Sequence, residues 1–209
     1  MARFAVIDIG TNSIKFHIGE RKDDGTWGVV LDRADLTRLG ETLQATGEIG
    51  PEAMERNVAA IAGMVAEAAK EGAGAVAAVG TMALRTARNS KQFIDRVRER
   101  CGLAIEVIPG EEESRLSYLA VKSGVGLSDG SMVIFDTGGG STEFVFGKGT
   151  AVLDRFSLNV GALRFTESYG LGDVVTPERL KEAMDAVGKD LERLDAAATP
   201  DALVGMGGT

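Results

Sequence analysis

The stretch SMVIFDTGGGSTEFVFGK, residues 131–148, decides how the rest of the chain is read. An apolar run ends at Asp136, Gly138, Gly139 and Gly140 follow after one threonine, and beyond Ser141 an alternating segment leaves with Glu143 near its start. Period-two alternation is the signature of a strand, so the unit reads strand, Gly-rich hairpin, strand. A loop of nearly bare backbone can turn several peptide N–H groups toward an anion, while flanking carboxylates suit a hard cation. The same letters also make a flexible linker or a plain tight hairpin.

A second copy favours the first of these readings. In FAVIDIGTNSIKFHIGE, residues 4–20, Asp8 aligns with Asp136, Gly10 with Gly138, Ser13 with Ser141, Phe16 with Phe144 and Gly19 with Gly147, without a gap. Alternation returns after the loop, with Ile14, Phe16 and Ile18 on one side and Lys15 and His17 on the other. A mononucleotide P-loop would run into a helix and end in Gly-Lys-Ser/Thr, which neither copy does. The repeat predicts two related domains, each offering a phosphate-binding hairpin to a shared cleft.

Bulk composition narrows the class. The chain has 209 residues, 44% hydrophobic and 26% charged, which suits a soluble globular protein of one large or two small domains. No apolar run reaches the roughly 20 residues that span a bilayer, and a strand begins too close to the N-terminus for a signal peptide, so a cytoplasmic location is expected. Cys101 is a single cysteine, in keeping with a reducing compartment and a packing role. A net charge of −8 argues against nucleic-acid binding, and a polyanionic substrate then needs a locally basic site or metal ions.

Along the chain, TWGVVLDRADLTRLG, residues 26–40, reads as a third strand leading to a loop. Pro51 opens a helix over 51–71 whose Met54, Val58, Ile61 and Val65 form one face. Residues 75–79 and 103–108 read as strands, and 92–100 and 111–121 as helices, which together make an α/β sheet. The Gly- and Ser-rich KSGVGLSDGS, residues 122–131, marks a boundary between domains at 1–126 and 127–209. Strands at 132–136, 142–146 and 151–157 follow, then helical segments. Thr176 caps a helix with an apolar stripe of Leu180, Met184, Val187, Leu191 and Leu194, and a strand begins at Ala202. The closing VGMGGT reads as one more Gly-rich turn cut short, so a truncated second domain is expected.

Two further stretches carry chemistry. In VIPGEEESRL, residues 107–116, three glutamates open a helix. They either complement its macrodipole or place a general base at a cleft. In GTMALRTARN, residues 80–89, Arg85 and Arg88 make a solvated basic face or supply a guanidinium fork for phosphate at a strand-to-loop junction. His17 reads as structural. No HExxH, CxxC or Ser-His-Asp arrangement can be assembled, which leaves carboxylate-held metal as the better fit.

With DIGTNS, GTMALRTARN, PGEEESRL and DTGGGSTE in that order, the chain resembles the exopolyphosphatase / guanosine pentaphosphate phosphohydrolase (Ppx/GppA) family of the actin-like ATPase superfamily. The resemblance covers nearly the whole chain. It implies an α/β fold of two ribonuclease-H-like domains around a cleft. It also implies Asp8, Gly10, Thr11, Asn12 and Ser13 as the first phosphate loop and Gly138, Gly139, Gly140 and Ser141 as the second. Asp136 and Glu143 then bind or orient Mg²⁺ and the attacking water, Glu113 is the catalytic base, and Arg85 lies near the phosphates. Thr137 stands where the family more often has an apolar residue.

The expected reaction is release of orthophosphate from the end of inorganic polyphosphate. The alternatives are removal of a phosphate from guanosine pentaphosphate and, in another class, a non-catalytic sensor of nucleotide or polyphosphate. The partner is therefore polyphosphate or a phosphorylated guanine nucleotide, a homodimer is an allowed assembly, and neither nucleic acid nor membrane is expected. Glu143 stands where the first copy has Lys15, so only the second loop is expected to handle metal and water.

Overall fold

The structure is a computed structural model that describes residues 2–125, 130–149, 151–194 and 199–207. Its first unit, Met1–Ile108, runs β1 (Ala2–Ile9), β2 (Ile14–Arg21), β3 (Trp27–Asp35), α1 (Leu43–Thr46), α2 (Pro51–Lys70), β4 (Ala73–Gly80), α3 (Met82–Thr86), α4 (Ser90–Cys101) and β5 (Glu106–Val107). The second unit, Pro109–Thr209, runs α5 (Gly110–Val125), β6 (Ser131–Thr137), β7 (Thr142–Lys148), β8 (Ala151–Leu158), α6 (Ala162–Tyr169), α7 (Pro177–Leu191), a 3-10 turn at Glu192–Leu194 and β9 (Ala202–Gly207).

In the first unit the sheet order is β3-β2-β1-β4-β5, with β1, β2 and β3 antiparallel and β4 and β5 parallel to their neighbours. The alternation in β1 and β2 sends Ile7, Ile9, Ile14, Phe16 and Ile18 to one face, all fully buried. Met54, Val58, Ile61 and Met64 of α2 and Phe93 and Val97 of α4 join them in one core. That burial of branched and aromatic side chains drives the unit's folding. Asn57 is buried within the same helix face and donates from Nδ2 to the carbonyls of Thr37 (3.0 Å) and Ala53 (2.7 Å). The strand expected over 103–108 shortens to Glu106–Val107, because Leu103 turns inward as core while only the end of β4 offers ladder partners.

The second unit repeats the plan with order β8-β7-β6-β9, β9 lying parallel to β6. Both hairpins share one register: Asp8 faces Lys15 and Ile9 faces Ile14, while Asp136 faces Glu143 and Thr137 faces Thr142. Even the irregularity recurs, between Ile18 and Gly19 in one copy and between Phe146 and Gly147 in the other. α5 covers the face bearing Met132, Ile134 and Val145 with Tyr118 and Val121. Gly147 permits this, since a Cβ there would lie 2.5 Å from the Tyr118 ring. The opposite face carries a row of phenylalanines, with Phe144 and Phe156 stacked at 5.5 Å and Phe146 and Phe156 at 5.9 Å, and the Arg193 guanidinium 3.8 Å over Phe156.

Two expectations are revised. The units divide at Ile108/Pro109 and not at 126/127, because α5 packs on β6, β7 and β8 of the second sheet. Residues 126–129, where that junction was expected, lie outside the described residues, as do Gly208 and Thr209 of the closing Gly-rich turn. The stripe of α7 is core only at its C-terminal end: Leu180 and Met184 are exposed, Ala183 is the buried residue of the helix, which leans on α6, and Leu191 and Leu194 pack against the phenylalanine row of the sheet. Among the described residues no helix is long and apolar enough to cross a membrane.

Candidate active site

Each hairpin is closed by the same bond. Gly10 N–H donates to the Ser13 carbonyl at 3.0 Å, and Gly138 N–H donates to that of Ser141 at 2.9 Å. The segment after the third strand then returns to brace each loop. Arg38 and Gly40 donate backbone N–H groups to the carbonyls of Asn12 (2.7 Å) and Thr11 (2.8 Å). Ala162 and Arg164 donate theirs to Gly138 (3.0 Å) and Gly139 (2.9 Å). With those carbonyls engaged behind the loops, the loop geometry is fixed. Gly161 is required for the second brace, since a Cβ would lie 2.5 Å from the Gly140 carbonyl carbon.

The two loops differ in charge across the ladder. In the first, Lys15 Nζ lies 3.6 Å from Asp8 Oδ2, so the pair is internally compensated. In the second, Asp136 and the buried Glu143 are direct cross-strand partners, and like charges opposite one another are unfavourable. Hydroxyl groups orient both. Ser157 Oγ, one strand over, donates to Glu143 Oε1 at 2.9 Å, and Ser117 Oγ of α5 donates to Asp136 Oδ2 at 3.4 Å. Thr137 is accommodated, its hydroxyl 3.2 Å from that of Thr142, which donates to the Val160 carbonyl.

The glutamate run divides into separate environments. Glu111 is exposed. Glu112 receives both Nε (2.8 Å) and Nη2 (2.6 Å) of Arg115, and that guanidinium holds its carboxyl below the usual range. Glu113 is partly buried in the first turn, four residues before Ser117 and so on the same helix face, the face that reaches Asp136. α5 thus carries Glu113 on the helix face whose Ser117 reaches Asp136. Ser117 and Ser157 escape a reading of sequence alone. Their only signals there are the four-residue step from Glu113 and the register of a third strand.

In the first unit, Thr81 N–H and Oγ1 both approach the Ile9 carbonyl, tying the start of α3 to the first hairpin. Arg85, one turn on, donates from Nη1 to the Ile108 carbonyl at 2.9 Å and is held beside the ends of β4 and β5. Arg88 is structural: it donates from Nη2 to the Thr46 carbonyl and pairs with Glu48 at 3.5 Å. His17 faces Asp32 at 3.3 Å on an outer strand surface, and Cys101 donates weakly from Sγ to the Val97 carbonyl.

The sequence profile of the Ppx/GppA phosphatase family matches residues 18–208. The chain belongs to that family. Ppx/GppA relatives include the guanosine-5'-triphosphate,3'-diphosphate pyrophosphatase of Photobacterium profundum, 32% identical over 99% of this chain and 42% of the relative. Exopolyphosphatase 1 of Mycobacterium leprae is 31% identical over 94% of this chain and 58% of the relative. The chain therefore spans about half the length of these relatives. A solved exopolyphosphatase from Cytophaga hutchinsonii superposes with a TM-score of 0.90 at 26% identity, covering 97% of this chain and 66% of that one. The ADP-bound MreB5 of Spiroplasma citri shares the fold at 13% identity, with a TM-score of 0.54 over 100% of this chain and 85% of that one. The fold is thus the two-sheet α/β arrangement shared with these solved structures, and the family to which the chain belongs is one of phosphatases.

Proposed function

We propose that this protein releases orthophosphate from the end of inorganic polyphosphate. The observation that carries this reading is the facing pair Asp136 and Glu143 beside a bare-backbone hairpin, with Glu113 one turn up α5 from the serine that touches Asp136. Among the described residues there is no group of three or more His, Cys, Asp or Glu that could cage a metal. Two adjacent carboxylates are the donor set that Mg²⁺ uses when waters and substrate phosphates complete its shell. Asp136 and Glu143 would hold it, and when bound it would offset charge on phosphate oxygens.

The remaining work falls to the chain's own groups. Backbone N–H groups of Gly139 and Gly140, with Ser141, hold phosphate at the second hairpin, and Thr11, Asn12 and Ser13, beside Asp8, do so at the first, while Gly138 and Gly10 use their N–H groups to close the loops. Glu113 orients a water and accepts its proton as the water oxygen bonds to the terminal phosphorus and the bridging P–O bond breaks, the electron pair leaving with the shortened chain. Arg85 supplies positive charge near phosphate oxygens.

The 32% identical Photobacterium relative, named for a guanosine nucleotide, supports the second reading, hydrolysis of guanosine pentaphosphate. Orthophosphate release from polyphosphates of graded length and from the nucleotide, each with Mg²⁺, separates the two. Cleavage of the nucleotide alone would overturn the first choice, and saturable binding of either without phosphate release would make the protein a sensor.

A further inference from the structure

The loop of the first hairpin is oriented from behind, and the orienting contacts run back to one side chain of α2. The loop peptides are trans, so each carbonyl and the N–H that follows it point in opposite directions. Gly40 N–H holds the Thr11 carbonyl at 2.8 Å and Arg38 N–H holds the Asn12 carbonyl at 2.7 Å. With both carbonyls drawn toward the segment after β3, the N–H groups of Asn12 and Ser13 are turned away from it. Among the described residues neither N–H donates a hydrogen bond, although Ser13 is buried. Adjacent open donors of this kind suit an anion.

The orienting segment, residues 37–41, is held at both ends by Arg56. Nε donates to the Thr37 carbonyl at 2.8 Å and Nη2 to Glu41 Oε2 at 2.8 Å, so one guanidinium ties the residue before Arg38 to the residue after Gly40. Asn57, its neighbour in α2, adds Nδ2 to the same Thr37 carbonyl at 3.0 Å. Between those ends the Glu41 N–H closes a turn on the Arg38 carbonyl at 3.1 Å, and a Cβ on Gly40 would run into the Thr11 methyl group. The planar fork suits this task, because its donors stand at fixed angles where a lysine offers a single nitrogen. Folding stability does not account for the ion pair. Arg56 and Glu41 are both exposed, and such pairs add little to stability.

We infer that, given the proposed phosphate role of this hairpin, Arg56 is a positioning residue for it. Arg56 fixes residues 37–41, these fix the Thr11 and Asn12 carbonyls, and the N–H groups of Asn12 and Ser13 are thereby set for a phosphate before it arrives. Arg56 itself touches no phosphate. It strengthens binding by ordering the loop in advance, and every contact involved lies in the first unit.

The test is titration of the nitrogen-15-labelled 209-residue chain with tripolyphosphate in Mg²⁺ buffer, following the amide resonances of Asn12 and Ser13. Wild type is compared with Arg56→Ala, Arg56→Lys and Glu41→Gln, and the Tm of each is measured alongside. Both amides should shift in wild type. Loss of about one hydrogen bond's worth of loop order should raise the Kd they report about tenfold in Arg56→Ala. The rise should be smaller in Arg56→Lys and Glu41→Gln, each of which can keep one of the two contacts, with Tm as in wild type. Arg96→Ala, which removes an exposed pair with Glu55 at 3.9 Å on the same helix, should leave Kd unchanged. A Kd within about twofold of wild type in Arg56→Ala removes Arg56 from the role, as does an equal rise in Arg96→Ala. Should Arg56→Ala fail to fold, an unchanged Kd in both Arg56→Lys and Glu41→Gln has the same consequence. Wild-type amides of Asn12 and Ser13 that do not respond to tripolyphosphate overturn the phosphate role of the hairpin, and the role of Arg56 with it.

Discussion

Lys15 and Glu143 occupy one position in two copies of the same hairpin, and this single difference divides their chemistry. Lys15 compensates Asp8 within the first ladder, whereas Glu143 doubles the negative charge beside Asp136. Replacing Glu143 by Gln is therefore expected to raise the Mg²⁺ concentration that gives half-maximal phosphate release, measured by metal titration at fixed polyphosphate. Glu113→Gln should lower kcat by roughly two to four orders of magnitude with KM little changed, as befits loss of a positioned base. Near-normal turnover would remove Glu113 from that role. Glu112 behaves differently, because Arg115 depresses its carboxyl pKa. Its contribution to stability is present above the unfolded carboxylate pKa and is lost as pH falls through the lower folded value. Glu112→Gln should flatten the acid limb of a Tm-against-pH profile while leaving turnover intact.

At the scale of elements, close approach and capping set the sensitivities. Gly147→Ala would drive a Cβ into the Tyr118 ring that seats α5 on the second sheet, an overpacking that costs about 1–3 kcal/mol, read as a lower urea midpoint. The same change should also lower turnover, since α5 carries Glu113 and Ser117. Thr176 caps α7 by accepting from the Arg179 N–H at 3.4 Å. Thr176→Ala should cost only about 0.5–1 kcal/mol, the lower part of the range for a cap, and leave activity unchanged. The cap was legible from Thr-Pro-Glu because capping is local chemistry. The fate of the α7 stripe was not: Leu180 and Met184 have helical spacing, yet only packing partners decide whether such a face is buried.

At the scale of the whole molecule, the two units hold their cores separately. The first is one continuous cluster drawn from residues 5–105, whereas the second has two smaller clusters on opposite faces of its sheet. Residues 1–108 expressed alone should fold cooperatively and melt above the second unit, with a single urea transition by circular dichroism as the measurement. The repeat, the strand alternation and the glycines of both loops were set by the sequence, because backbone freedom and period-two burial are properties of neighbouring residues. The carboxylates were legible for the same reason, as their hairpin register follows from the loop between them. The ownership of α5, the serines that orient Asp136 and Glu143, and the Arg56 contacts behind the first loop were decided only by tertiary structure. Each depends on which distant strand or turn comes to lie beside it, and no local pattern encodes that.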